Sequence, residues 1–230
     1  HHTVSDAALV GGGSSPRPGE VSLAHHGILF LDELPEFRRN VLEALRQPLE
    51  DRIVVVARGR GVLELPARFQ LVAAMNPCPC GFLGDARRPC RCTPGQVRNY
   101  RARISGPLLD RFDLRVEVSA LPFADLNGPP GEPSQAVATR VARARGRQAE
   151  RQGRSNAELG PAAIRLHAAL DADGQAFLAA AVDRLGVTGR GHDRLLRVAR
   201  TIADLEGTPG VHARHLAEAS QFRHMPPGPG

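Results

Sequence analysis

Apolar and polar positions divide the chain into two regimes. In roughly the first half, short apolar runs alternate with turn-rich segments; later, apolar positions recur at helical spacing. The sharpest run is Gly27-Ile28-Leu29-Phe30-Leu31, which passes straight into Asp32 and Glu33. It predicts a strand buried on both faces, as in a parallel α/β sheet. Phe37, Val41, Leu42 and Leu45 then predict a helix from Pro35 to Gln47 that Pro48 stops. Ile53 to Ala57 and Val62 to Leu65 flank Arg58-Gly59-Arg60-Gly61 and predict a β-hairpin. Phe69 to Ala74 predicts a second buried strand, ending at Met75-Asn76-Pro77, and Leu114 to Val118 alternates like a third. Glu20 to His26 and Gln96 to Ile104 fit short helices.

Gly11 to Gly19 reads as a flexible loop, and Leu126 to Ser134 as a linker rich in Gly and Pro. Beyond it, helices are predicted over Gln135–Gln152, Ala162–Leu170, Gln175–Leu185, Arg190–Leu205 and Val211–Phe222, with a disordered tail from Pro226 to Gly230. The fold class is α/β: part of a parallel sheet with an inserted hairpin, followed by an all-α region.

The strand ends carry the candidate chemistry. Ligands of parallel sheets bind beyond the carboxyl ends of strands, where Asp32 and Glu33 fall. In a nucleotide hydrolase the first acid there holds Mg²⁺ and the second polarises the attacking water; an acidic cap on the next helix is the alternative. Asn76 is placed to orient a water or to make an Asx turn. Arg58 and Arg60, at the hairpin tip, are DNA-contact candidates or solvated turn arginines. Cys78-Pro79-Cys80 and Cys90-Arg91-Cys92 offer four thiolates to one zinc ion, or stay reduced and unliganded. Arg111, between Asp110 and Asp113, makes a plain ion pair or projects towards a neighbouring subunit.

Composition narrows these options. The 230 residues are 42% hydrophobic, enough for one ordinary domain or two small ones. No apolar run approaches a membrane span and no signal-peptide pattern occurs, so a cytoplasmic location is expected. The net charge of +6 suits nucleic acid or a basic solvated surface, while the single Tyr and absent Trp supply little base stacking. All 30 basic residues are Arg. A phosphate-cradling loop of the form Gly-x-x-x-x-Gly-Lys-Ser/Thr is therefore missing. The expectation is a fragment whose phosphate grip lies upstream, since the chain opens without Met at His1-His2, a native start or a tag remnant.

The motifs GGGSSPRPGEVSLAHHG, ILFLDELPEF, AAMNPCPCG, ISGPLLDRFDL and RLLRVARTIADLEG resemble the AAA+ ATPases. More narrowly, they resemble the magnesium-chelatase-like family in its ComM/YifB competence-protein branch. The resemblance runs over nearly the whole chain and implies that His1-His2 is native. It gives Asp32 and Glu33 the role of Walker B acids, Asn76 that of the sensor of the γ-phosphate, and Arg111 that of an arginine finger acting on a neighbour's ATP. Arg190, with Arg194 as its rival, takes the place of the sensor-2 arginine, and the hairpin and the 11–19 loop become pore elements. The implied layout is a partial AAA+ core over 1–125, a linker over 126–134 and a helical lid over 135–225. ATP and Mg²⁺ are the implied cofactors. A homo-oligomeric ring, a hexamer, and DNA are the implied partners, in branch migration during natural transformation. The chain alone is expected to be inactive. Two other readings remain: a chelatase-type ATPase that remodels a partner protein, and a non-enzymatic zinc-bearing interaction module.

Overall fold

A computed structural model describes residues 4–12, 17–58, 61–85, 87–118, 125, 128–185 and 188–223. His1 to Thr3, residues 13–16 of the first loop, Arg60, residues 126–127 of the linker and the 226–230 tail lie outside them. The chain is a mixed α/β protein that divides into two compact units, one up to Phe112 and one from Asp113. No helix among the described residues is long and apolar enough to cross a membrane.

The first unit opens with α1 (Asp6–Val10), capped by Ser5, whose hydroxyl accepts the Ala8 N–H. Two short strands follow, β1 (Gly11–Gly12) and β2 (Arg17–Pro18), then α2 (Glu20–Leu23). β3 (Ile28–Leu31) and β6 (Gln70–Ala73) are parallel neighbours in register Ile28↔Gln70 to Leu31↔Ala73. Between them lie α3 (Arg39–Ala44), α4 (Arg46–Asp51) and an antiparallel hairpin, β4 (Ile53–Arg58) with β5 (Gly61–Pro66). Leu29 and Leu31 pack inward with Phe37, Val41, Leu42, Leu45 and Leu108. α5 (Pro94–Arg101) and α6 (Gly106–Leu109) complete the unit.

Three expectations are corrected here. β3 is buried on one face only: Ile28 is 63% and Phe30 58% exposed, because nothing in this two-stranded sheet covers their side. Pro48 does not stop a helix. It sits in the first turn of α4, where its missing N–H leaves no hydrogen bond unmade. Leu114 to Val118 forms no strand. The Arg115 N–H donates to the Phe222 carbonyl, and Leu114, Val116 and Val118 are exposed, since no neighbouring strand among the described residues offers a ladder.

The second unit holds α7 (Ser134–Gln152), α8 (Pro161–His167), α9 (Ala172–Leu185), α10 (Gly189–Glu206) and α11 (Ala213–Gln221). Leu195, Leu196, Ala199 and Ile202 give α10 a continuous apolar face, packed with Leu159, Ile164 and Leu216. Thr188 caps α10 by accepting the Gly191 N–H at 3.2 Å. Gly207 ends it at φ +84°, where an added Cβ would stand 2.8 Å from the Arg147 guanidinium. The positive φ favours glycine, and any larger residue would have to displace that guanidinium. A buried polar cluster crosses this unit. Asp204 accepts from Arg151 at 2.6 and 2.9 Å, from Asn156 at 2.8 Å and from Arg200 at 3.0 Å. Arg200 also donates to the carbonyls of Pro209 at 2.6 Å and Thr208 at 2.7 Å, while its buried Nε makes no hydrogen bond.

Candidate functional site

The parallel register continues past the strand ends. The Ala74 N–H donates to the Leu31 carbonyl, and the Leu34 N–H to the Ala74 carbonyl, both at 2.9 Å. Asp32 and Glu33 therefore leave the sheet beside the segment that leads to Asn76, and all three are exposed. Glu33 adopts the left-handed conformation, φ 51° and ψ 47°, which costs a residue with a Cβ about 1–2 kcal/mol. Its N–H donates to the Asp32 carboxylate at 2.9 Å, which ties the Asp32 side chain to this strained turn at the strand end.

Tyr100, the only tyrosine in the chain, stands beside this end of the sheet. Burial raises its pKa, the carboxylates of Glu36 and Glu33 raise it further, and a backbone hydrogen bond from Asn76 works against them. Arg101 donates to the Pro77 carbonyl at 3.3 Å. Arg103 donates to the Pro35 carbonyl at 3.2 Å and pairs with Glu36 at 2.9 Å. The end of α5 thus touches both strand extensions.

The other candidates are placed as follows. Arg111 lies in the same unit with its side chain 8% exposed. It pairs with Glu50 and donates to the carbonyls of Pro107 at 2.7 Å and Arg46 at 3.2 Å. It borders a cleft of about 510 Å³ that Glu43, Arg46, Glu50 and Val54 also line. Arg190 is exposed in the first turn of α10, and Arg194, one turn later, faces Asp113 at 3.4 Å. Arg58 closes β4, but its side chain, like all of Arg60, lies outside the described residues.

The four cysteines converge, with their sulfurs within 4.8 Å of one another. Cys78 lies 3.4 Å from Cys80 and 3.6 Å from Cys90, and Cys80 is 3.6 Å from Cys90. Four thiolates around a zinc ion at Zn–S of about 2.3 Å have tetrahedral S···S edges of about 3.8 Å. The cluster is close to that spacing. Gly81, at φ +82°, turns the chain directly after Cys80. Backbone N–H groups of Phe82 and Arg91 pull the Cys80 thiol down to about 6, while burial pushes Cys92 up to about 12.

Comparison with known proteins places this arrangement. The family model for magnesium chelatase, subunit ChlI, matches residues 1–126, and that for the ChlI C-terminal region matches residues 131–223. The chain is 48% identical over 227 residues to the competence protein ComM of Haemophilus influenzae, covering 98% of this chain and 44% of that protein. It is 47% identical over 226 residues to YifB of Escherichia coli (strain K12), at 97% and 44% coverage. A protein of Mycobacterium bovis is 45% identical over 228 residues, at 97% and 45% coverage. The chain thus spans less than half the length of these relatives.

Proposed function

The chain belongs to the magnesium-chelatase (ChlI) family of AAA+-type ATPases, on its ComM/YifB branch, and from that premise we propose that it forms the water-activating and sensing side of an ATP-driven ring motor acting on DNA. The observation that carries this reading is the meeting of Asp32, Glu33 and Asn76 at one end of a parallel strand pair. Two exposed carboxylates are hard oxygen donors of the kind Mg²⁺ takes. ATP with Mg²⁺, when bound, supplies the phosphoryl group and the charge that neutralises it. Asp32 is the metal-side ligand. Glu33 accepts a proton from the attacking water, and Asn76 orients that water at the γ-phosphate. Arg111 serves a neighbour's site once it leaves Glu50, and Arg190 answers to nucleotide from the helical lid. In this layout 1–125 is the partial core, 126–134 the linker and 135–225 the lid.

The partner is DNA, met by Arg58 and Arg60 at the tip of the β4–β5 hairpin in a homo-oligomeric ring, taken as a hexamer, and the work is branch migration during natural transformation in the cytoplasm. Zinc is the metal of the cysteine cluster. The 230-residue chain, which carries no lysine, is expected to turn over no ATP alone. The test uses the full-length protein. Branched DNA should stimulate ATP hydrolysis, and Arg58→Ala with Arg60→Ala should remove the stimulation while leaving basal turnover. Hydrolysis indifferent to DNA in the unaltered protein, with dependence on a large protein partner, would replace this reading with a chelatase-type remodelling ATPase.

A further inference from the structure

The cysteine cluster is more than a staple on a loop, because of what its two halves are attached to. Cys78 is two residues beyond Asn76, fully buried, on the extension of β6. Cys90 and Cys92 lie immediately before Thr93, which caps α5 through a reciprocal box: the Thr93 hydroxyl accepts the Gln96 N–H at 3.3 Å, and the Thr93 N–H donates to Gln96 at 2.8 Å. The far end of α5 then returns to where the segment began. Tyr100 lies close to the Asn76 backbone, and Arg101 donates to the Pro77 carbonyl at 3.3 Å. The segment is a closed circuit. It leaves Asn76, passes the sulfurs twice, runs down α5 and closes on Asn76 and Pro77.

Between the cysteine pairs, residues 81–89 make no strand or helix among the described residues, and few apolar side chains hold them. Asp85 accepts from the N–H groups of Arg87 at 2.7 Å and Arg88 at 3.1 Å, and Arg88 lies over the Phe82 ring at 5.3 Å. These local contacts are weak next to a tetrathiolate bond set. Without a central ion, sulfurs 3.4 to 3.6 Å apart gain little from one another. An ion at the centre would fix the start of α5 relative to the end of β6, and through Tyr100 and Arg101 fix the backbone at Asn76.

We infer that Cys78, Cys80, Cys90 and Cys92 form a tetrathiolate zinc clamp whose occupancy sets the position of Asn76 beside Asp32 and Glu33, so that metal loading controls the hydrolytic site without touching nucleotide. This rests on the zinc reading of the cluster and adds the coupling to Asn76.

The full-length protein, purified without chelator, tests both parts separately. Elemental analysis should find about one zinc per chain, and the cobalt-exchanged protein should show the thiolate charge-transfer and tetrahedral visible bands of a four-sulfur site. Hydrogen exchange of the backbone over residues 75–78 and 94–101 should then accelerate by about tenfold or more when zinc is withdrawn. The hairpin over 53–66 and the helices over 134–223 should exchange as before, which shows that the protein remains folded. Cys90→Ser should reproduce the acceleration. Cys92→His, which keeps four ligands, should bind zinc and hold slow exchange. Absence of zinc and of the cobalt bands would overturn the zinc reading and the clamp together. Stoichiometric zinc with unchanged exchange at 75–78 would overturn the clamp alone.

Discussion

The two compact units answer the same physical demand in opposite ways. The helical unit completes itself. Its apolar residues meet across α8, α10 and α11, and its buried carboxylate Asp204, at 1% exposure, finds its donors Arg151, Asn156 and Arg200 in the same unit. The α/β unit does not. One face of its parallel pair buries Leu29 and Leu31, while the other leaves Ile28, Phe30 and Val72 to solvent. Its two carboxylates and Asn76 are also exposed. A buried carboxylate with several donors secures one arrangement, whereas exposed acids at a strand end remain available to a ligand. The helical unit thus buries its central carboxylate among partners, and the α/β unit leaves its strand-end acids open to a ligand.

Three experiments sharpen or break that contrast. The largest effect should come from Asp204→Ala, which strands Arg200 and Arg151. Loss of one partner from a buried charge cluster costs about 3–5 kcal/mol, so denaturant unfolding of the helical unit should move by that much. A loss under about 1 kcal/mol would mean the cluster is solvated and the unit is not self-contained. Next comes a matched pair of apolar truncations. Leu195→Ala, in the helical core, should cost about 2–5 kcal/mol. Phe30→Ala, 58% exposed, should cost less than about 1 kcal/mol in the 230-residue chain. Equal costs would erase the distinction between a filled core and an uncovered face.

The smallest effect is acid sensitivity. Burial raises the Asp204 pKa, but hydrogen bonds from Arg151 and Asn156 and the Arg200 charge outweigh it, and the carboxyl ends below its ordinary value of 3.8. A depressed carboxyl contributes stability that is present above its unfolded pKa and is lost as pH falls through the folded one. Glu206, lowered by His215 and Arg214, and Asp171, lowered by His212, act in the same direction. Acid titration below about pH 4 should therefore unfold the helical unit progressively, and Asp204→Asn should flatten that profile. Stability that rises on acidification would contradict the assignment.

Much of this was legible in sequence where period and caps agree. α7 and α10 begin and end within two residues of the expected limits, because their apolar spacing is sustained and Gly153 and Gly207 punctuate them. α1 carries no helical signal in the sequence, since five residues are too few to show a period. The segment over 114–118 alternates correctly for a strand yet has no strand neighbour among the described residues, and alternation alone cannot supply one. In the site, Asp32 and Asn76 stand out as polar residues at the ends of apolar runs. Tyr100, Arg103 and Glu50 gave no such signal. Glu50 meets Arg111 across 61 positions, and Tyr100 reaches Asn76 only because the cysteine loop folds α5 back.

The most direct test of the account is ATP hydrolysis by the full-length protein with Glu33→Gln. If Glu33 accepts the proton of the attacking water, turnover should fall by about 10²–10⁴-fold while nucleotide binding stays within a few-fold of the unaltered protein. Turnover that survives the substitution would remove Glu33 from the chemistry and, with it, the assignment of this strand end as the hydrolytic site.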